Sequence, residues 1–167
     1  MGIIDVLASI DTETILKNYP PSLDPNNPKF VPNNPILIFM VTKKENAIDG
    51  QAGNELTLGA ETGDVIRWRA TSLSLNSDSE VILYKFVADP GQQLIDDPKP
   101  LSITISDPLP NKNDPINPTT QTIQSYFYNS TVLNPGNLVY HFYFLIVDRH
   151  GNKLGYYWWD PYITITS

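Results

Sequence analysis

Apolar and polar positions alternate with a period of two over much of this chain, the spacing of half-buried β-strands. The pattern is densest over residues 138–165, LVYHFYFLIVDRHGNKLGYYWWDPYITI. The rest of the chain is expected to assemble around that stretch. Residues 139–147 read as a strand rich in aromatic and β-branched side chains, which suit a pleated surface. Tyr140, Phe142, Phe144 and Ile146 fall on one face, and Val139, Tyr143, Leu145 and Val147 on the other. A strand apolar on both faces is expected at the centre of a covered sheet. Asp148-Arg149-His150-Gly151-Asn152 reads as a polar turn in which Gly151 can take a positive φ. Residues 154–166 are the return strand.

Upstream, residues 2–10 are apolar on both faces and predict a strand. Residues 11–17 predict one or two helical turns, with Asp11 or Thr12 capping the first amides and Glu13 at the positive end. Residues 19–35 are dense in proline and asparagine, so a long surface loop with no strand ladder is expected. Residues 35–43, PILIFMVTK, predict a buried strand, and residues 55–58 a short one. Residues 65–71 alternate cleanly. Ile66, Trp68 and Ala70 share one face, and Val65, Arg67, Arg69 and Thr71 the other. Residues 81–88 predict a strand with Ile82, Tyr84 and Phe86 on one face. Residues 101–105 and 121–128 predict two more, separated by a proline-rich second loop over 106–120. The sum is about eight or nine strands at sandwich spacing, which predicts a single-domain antiparallel β-sandwich over residues 1–167.

Composition sharpens this picture. Fifteen prolines and nine glycines, set mostly between apolar runs, are the punctuation of an all-β protein. A single domain of 167 residues buries roughly 70% of its unfolded surface. Eleven Lys and Arg against eighteen Asp and Glu leave a net charge of −7, which argues against nucleic acid or an anionic membrane as partner. Charged residues make up 17% of the chain, below the usual ~25%, and this low charge permits dense self-packing. Without cysteine there are no disulfides, thiol chemistry or Cys-ligated metals. The first residues carry no basic region, Asp5 interrupts the apolar run, and Val6 stands where a myristoylation signal needs Ser or Thr. No run approaches ~20 apolar residues. A cytoplasmic location without membrane anchorage is the expectation.

Three stretches carry a family resemblance. They are Ile3-Ile4-Asp5-Val6-Leu7 through Ile10-Asp11-Thr12-Glu13-Thr14-Ile15-Leu16, Gly63-Asp64-Val65-Ile66-Arg67-Trp68-Arg69-Ala70-Thr71-Ser72-Leu73-Ser74, and Gly155-Tyr156-Tyr157-Trp158-Trp159-Asp160-Pro161-Tyr162-Ile163. With these, the chain resembles the bacterial inclusion-body protein family of the PixA/AidA type. The resemblance implies a small cytoplasmic protein of Gram-negative bacteria that is abundant at high cell density. It further implies accumulation in inclusions and association with hosts. Low methionine is a mark of the type, and Met40 beside Met1 is a small departure. The family brings no established catalytic residues.

Among the residues themselves, the aromatic run is the first candidate for binding. Along a strand, Tyr156, Trp158, Asp160 and Tyr162 share one face and Tyr157, Trp159, Pro161 and Ile163 the other. Ile163 and Ile165 assign the odd set to the core. The even set then faces outward or toward a covering loop. Exposed, it would offer flat rings for a sugar to stack on, with Asp160 accepting hydroxyl hydrogen bonds. Covered, it is more core. Arg67 and Arg69 project to one side of their strand. They would either clamp a carboxylate or phosphate, or pair with Asp5, Asp11, Glu13 or Asp64. Asp5, Asp11, Glu13, Asp64 and Asp148 are oxygen donors of the kind calcium takes, yet no EF-hand spacing is present, and no metal or other cofactor is expected. Nucleophile elbow, phosphate loop and zinc-protease motifs are all missing. The expectation is therefore a non-enzymatic protein that associates with itself. The alternative is a carbohydrate-binding module using the even aromatic face to take glycans.

Overall fold

The computed structural model describes residues 1–75 and 77–167, which form twelve strands, one α-helix and two 3₁₀ turns. One sheet contains β1 (Ile3–Ile10), β3 (Ile38–Val41), β6 (Val65–Ser72), β8 (Lys99–Asn111) and β9 (Asp114–Thr131), in the order β3-β1-β6-β9-β8. The second sheet is centred on β10 (Gly136–Asp148), with β7 (Ser79–Ala88) on one side. On the other side β11 (Lys153–Trp159) and β12 (Tyr162–Thr166) lie end to end. Phe142 faces Trp159 and Val139 faces Tyr162, so both segments keep one register along β10. They are one return strand, interrupted where Pro161 lacks an N–H to donate. Across the break, the Tyr140 N–H still donates to the Pro161 carbonyl at 3.0 Å. The short strands β2 (Lys29–Phe30) and β5 (Thr57–Glu61) extend this sheet from β11 and β12, and β4 (Ala47–Asp49) lies beyond β5.

The two sheets pack face to face through the alternating positions of their strands. Ile4, Val6, Ala8 and Ile10 of β1 and Ile66, Trp68 and Ala70 of β6 meet Leu138, Tyr140, Phe142, Phe144 and Ile146 of β10. Tyr157 and Trp159 of β11 complete the core, so the odd set of the aromatic run is the buried one, as the alternation predicts. Polar handles inside the core are paired. Trp68 Nε1 donates to the Tyr140 hydroxyl at 3.2 Å, and Trp159 Nε1 points at Met40 Sδ at 3.2 Å. Met40 is fully buried and supplies a soft acceptor to that indole. The helix α1 (Thr12–Asn18) forms where expected, with Asp11 as its N-cap accepting from Thr14 N at 3.0 Å.

Five features differ from the sequence reading. The strands number twelve rather than eight or nine, and both sheets are mixed. β1 and β6, β2 and β11, and β5 and β12 run parallel.

Residues 106–120 are not a loop. They belong to a long hairpin in which β8 and β9 pair from Lys99 opposite Asn129 out to Asn111 opposite Asp114. On β8 the prolines are tolerated because it is a sheet edge, and on β9 Pro115 and Pro118 fall within the register shift between Asp114 and Thr119. Pro100 and Pro108 share one parity along the strand, so the side that lacks an N–H can face away from β9.

Strand β7 carries a β-bulge. Lys85 faces Tyr143 and Leu83 faces Phe144, which leaves Tyr84 as the extra residue. Val81, Leu83, Phe86 and Ala88 therefore turn inward, whereas Ile82 is 36% exposed. The expected common face of Ile82, Tyr84 and Phe86 is broken.

Finally, the 19–35 loop does contribute to a ladder. Lys29–Phe30 pairs with Tyr157 and Trp158, and Ser22 bridges Tyr156.

Candidate functional site

The two groups of candidate residues lie on opposite outer surfaces, with both sheets and the core between them. Tyr156, Trp158, Asp160 and Tyr162 project from the outer face of the second sheet, because their odd neighbours fill the core. Arg67 and Arg69 project from the outer face of the first sheet, because Trp68 and Ala70 fill the core from the other side of β6. No single ligand could engage both groups.

The chain's own 19–35 loop runs along the edge of β11 and covers part of the aromatic face. Tyr156 N donates to the Ser22 carbonyl at 2.8 Å, and Val31 N to the Trp158 carbonyl at 3.0 Å. The Tyr84 hydroxyl donates to Pro25 O at 3.0 Å on the outer face, and the Tyr157 hydroxyl to Tyr19 O at 3.1 Å on the core side. On the inner side of β11, Gly155 leaves room for the loop, since a Cβ there would stand 2.6 Å from Pro21 Cβ and 2.8 Å from the Tyr157 ring. Tyr156 is left 6% exposed, with the Tyr84 ring edge-on at 5.4 Å. Burial, together with Tyr156 and Tyr143 nearby, pushes the Tyr84 hydroxyl up to about 12. Trp158 is half-buried against Phe30 at 4.6 Å, His141 at 4.7 Å and Tyr143 at 6.2 Å. A sugar platform needs a free ring face, and most of this one is spent on internal packing. The reading that rests on sugar stacking loses its main support. Phe30 was missed by the sequence reading, although an apolar Phe-Val pair inside a proline-rich loop was a visible signal. Tyr84 carried no such signal, because the bulge that aims it arises from the pairing of β7 with β10.

Beyond Trp158 lies a polar cluster. Asp160 Oδ1 is buried and accepts no hydrogen bond. Burial, with Glu55 close by, raises the Asp160 carboxyl above the usual carboxylate range, against the opposing pull of His141. The Tyr162 hydroxyl donates to Glu55 Oε1 at 3.2 Å. An acid whose folded value is raised holds its proton more tightly folded than unfolded. Its ionisation therefore lowers stability as pH rises out of the ordinary carboxylate range through that raised value. Asp160→Asn is expected to be more stable than the natural chain near neutral pH and to lose that advantage in acid. Urea midpoints at the two pH values test this, and an Asn variant weakened at neutral pH would contradict it.

On the opposite surface, Arg67 lies beside Asp5 because β1 and β6 run parallel with these residues in register. The pair is bidentate, Nε to Oδ1 at 2.6 Å and Nη2 to Oδ2 at 2.8 Å. The Asp5 hydrogen bond raises the Arg67 guanidinium. That guanidinium also sits 5.1 Å from the centre of the Phe127 ring. Arg69 is exposed and makes no ion pair among the described residues. Leu7, Val41, Lys43, Ile103 and Phe127 join these groups around an open groove of about 380 Å³.

The remaining acidic candidates do not converge. Asp11 caps α1, and Asp64 accepts from Gly2 N at 2.6 Å and Glu61 N at 3.0 Å. Asp148 is held in its turn by His150 N, Asn152 N and Asn152 Nδ2. The described residues contain no group of three or more His, Asp or Glu disposed to hold a metal ion. They also contain no helix long and apolar enough to cross a membrane.

The crystal structure of the inclusion body protein (PixA) from Burkholderia cenocepacia J2315 superposes with a TM-score of 0.78. The match covers 99% of this chain and 96% of that one at 22% sequence identity, a likeness of fold. No curated protein matches the chain. The family model for PixA, described as inclusion body protein, matches residues 2–165. That match spans the β-sandwich from β1 through β12, and the chain belongs to the PixA inclusion body protein family.

Proposed function

We propose that this protein acts without catalysis, associating with itself and accumulating in cytoplasmic inclusions, with a role tied to life in or on a host. The observation that carries the reading is the family match over residues 2–165. Physical features support it. The aromatic face that would have offered a ligand platform is partly covered by the chain's own loop, with Tyr156 at 6% exposure and Trp158 half-buried. Apolar side chains are instead left in the open on the outer face of the first sheet. Ile3 is 55% exposed, Leu7 38% and Leu101 46%. Exposed apolar area of this kind, on a chain with few charges, favours contact with other protein surfaces over solvation.

Sedimentation velocity on the purified chain over a wide concentration range tests the reading. The sedimentation coefficient is expected to rise with concentration at neutral pH. A constant monomer value over the whole range would sink the proposal. Fluorescence microscopy of a tagged chain at high cell density is the cellular counterpart, with foci expected inside the cytoplasm.

A further inference from the structure

The β8–β9 hairpin outgrows the sheet it belongs to. Strand β9 pairs with β6 only from Tyr128 to Thr131, whereas β8 and β9 stay paired out to Asn111 and Asp114. Beyond Phe127 the hairpin is a two-stranded arm roughly 35 Å long, at about 3.3 Å per residue. Two-stranded ribbons are marginal in water unless a face is covered. This one has such a face. Leu101, Ile103, Ile105 and Leu109 share a stripe with Phe127 and Ile123 opposite them. The other face is polar along the same length, with Thr104 and Gln124 hydrogen-bonded across it at 2.9 Å.

The apolar stripe is continuous with the groove on the first sheet, since Ile103 and Phe127 line both. The stripe and the groove also match in charge. Asp107 interrupts the stripe between Ile105 and Leu109, with only Gln121 Nε2 donating to it at 3.1 Å. In the groove Arg67 is committed to Asp5, while Arg69 makes no ion pair among the described residues and Lys43 stands exposed at the rim. On a chain of net charge −7, a local cationic groove is where an acidic arm of the same chain can approach.

We propose that two copies dock reciprocally, each laying the apolar stripe of its β8–β9 arm into the other's first-sheet groove, with Asp107 of the partner subunit on Arg69. Both complementary halves belong to one chain, so the contact closes on itself as an isologous dimer. The free edge of β8 is not the docking element. Pro100, Pro108 and Pro110 lie along it, and prolines on an edge block strand addition. This inference rests on the self-association reading and names its surface.

Sedimentation equilibrium on the full chain tests it, with Asp107→Arg, Arg69→Asp and the double exchange, each checked for its fold by circular dichroism. Each single exchange is expected to weaken association by on the order of tenfold or more, and the double exchange to recover most of it. Association unchanged in both single variants, or not recovered in the double, overturns the arm-in-groove contact while leaving self-association intact. A natural chain that stays monomeric throughout removes self-association, and this contact with it.

Discussion

Trp68→Ala is expected to cost about 3–5 kcal/mol, measured as the change in unfolding free energy by urea titration. Trp68 is 2% exposed and lies at the centre of the sandwich. Its ring meets Phe86 and Tyr140 at 5.8 Å and Phe142 at 5.6 Å, joining β6 of one sheet to β7 and β10 of the other. Truncation leaves a cavity that the rigid strands cannot close, and it strands the buried Tyr140 hydroxyl without its indole donor. Trp158→Ala provides the comparison. Trp158 is half-buried and packs against one loop residue and its neighbours on the outer face. Its loss should cost clearly less and free the 19–35 loop rather than open the core. Equal losses in the two variants would mean that the outer aromatic face is as much core as the inner one.

Gly91→Ala is expected to be the most damaging small substitution, costing about 2–5 kcal/mol from backbone strain and overpacking together. Gly91 has φ 114° and ψ 11°, a conformation that residues with a Cβ rarely adopt. An added Cβ would collide with Leu138 Cβ and stand 3.0 Å from its Cα. Leu138 is 2% exposed in the central strand β10 and cannot withdraw. Gly151→Ala separates the two causes. Gly151 has φ 81° in the β10–β11 turn, but a Cβ there meets nothing within 4 Å. It should cost about 1 kcal/mol, the strain alone. Thermal unfolding of the pair reads the difference directly. Equal shifts would show that the contact with Leu138 is relieved by local movement.

Much of the fold follows from local rules, and the residues show which. The hairpin of β10 with β11 and β12 forms where alternating aromatics and a polar Gly151 turn place it. Ile163 and Ile165 correctly assign Tyr157 and Trp159 to the core. Asp11 caps α1 as its chemistry directs. Each of these depends on residues within a few positions of one another. Arg67 marks the limit of that rule. Pairing with Asp5 was among the partners its strand face allowed. The choice came from the parallel register of β1 and β6, which are separated by more than fifty residues in the chain.

What the sequence by itself determined is the period of two, the location of the strong strands, the inward set of the aromatic run and the absence of cysteine chemistry. These are properties of side chains and their spacing. Only the tertiary structure decided the parallel pairings, the bulge at Tyr84, the pairing of the 19–35 loop along the β11 edge beside Tyr156 and the extension of 106–120 as a ribbon. The reason is the same in each case. A proline-rich segment forms a strand when its missing N–H can face an open edge. An outward aromatic becomes buried when a distant loop pairs along the edge of its strand and packs beside it. Both outcomes depend on which neighbours the rest of the chain supplies, and no local pattern encodes them.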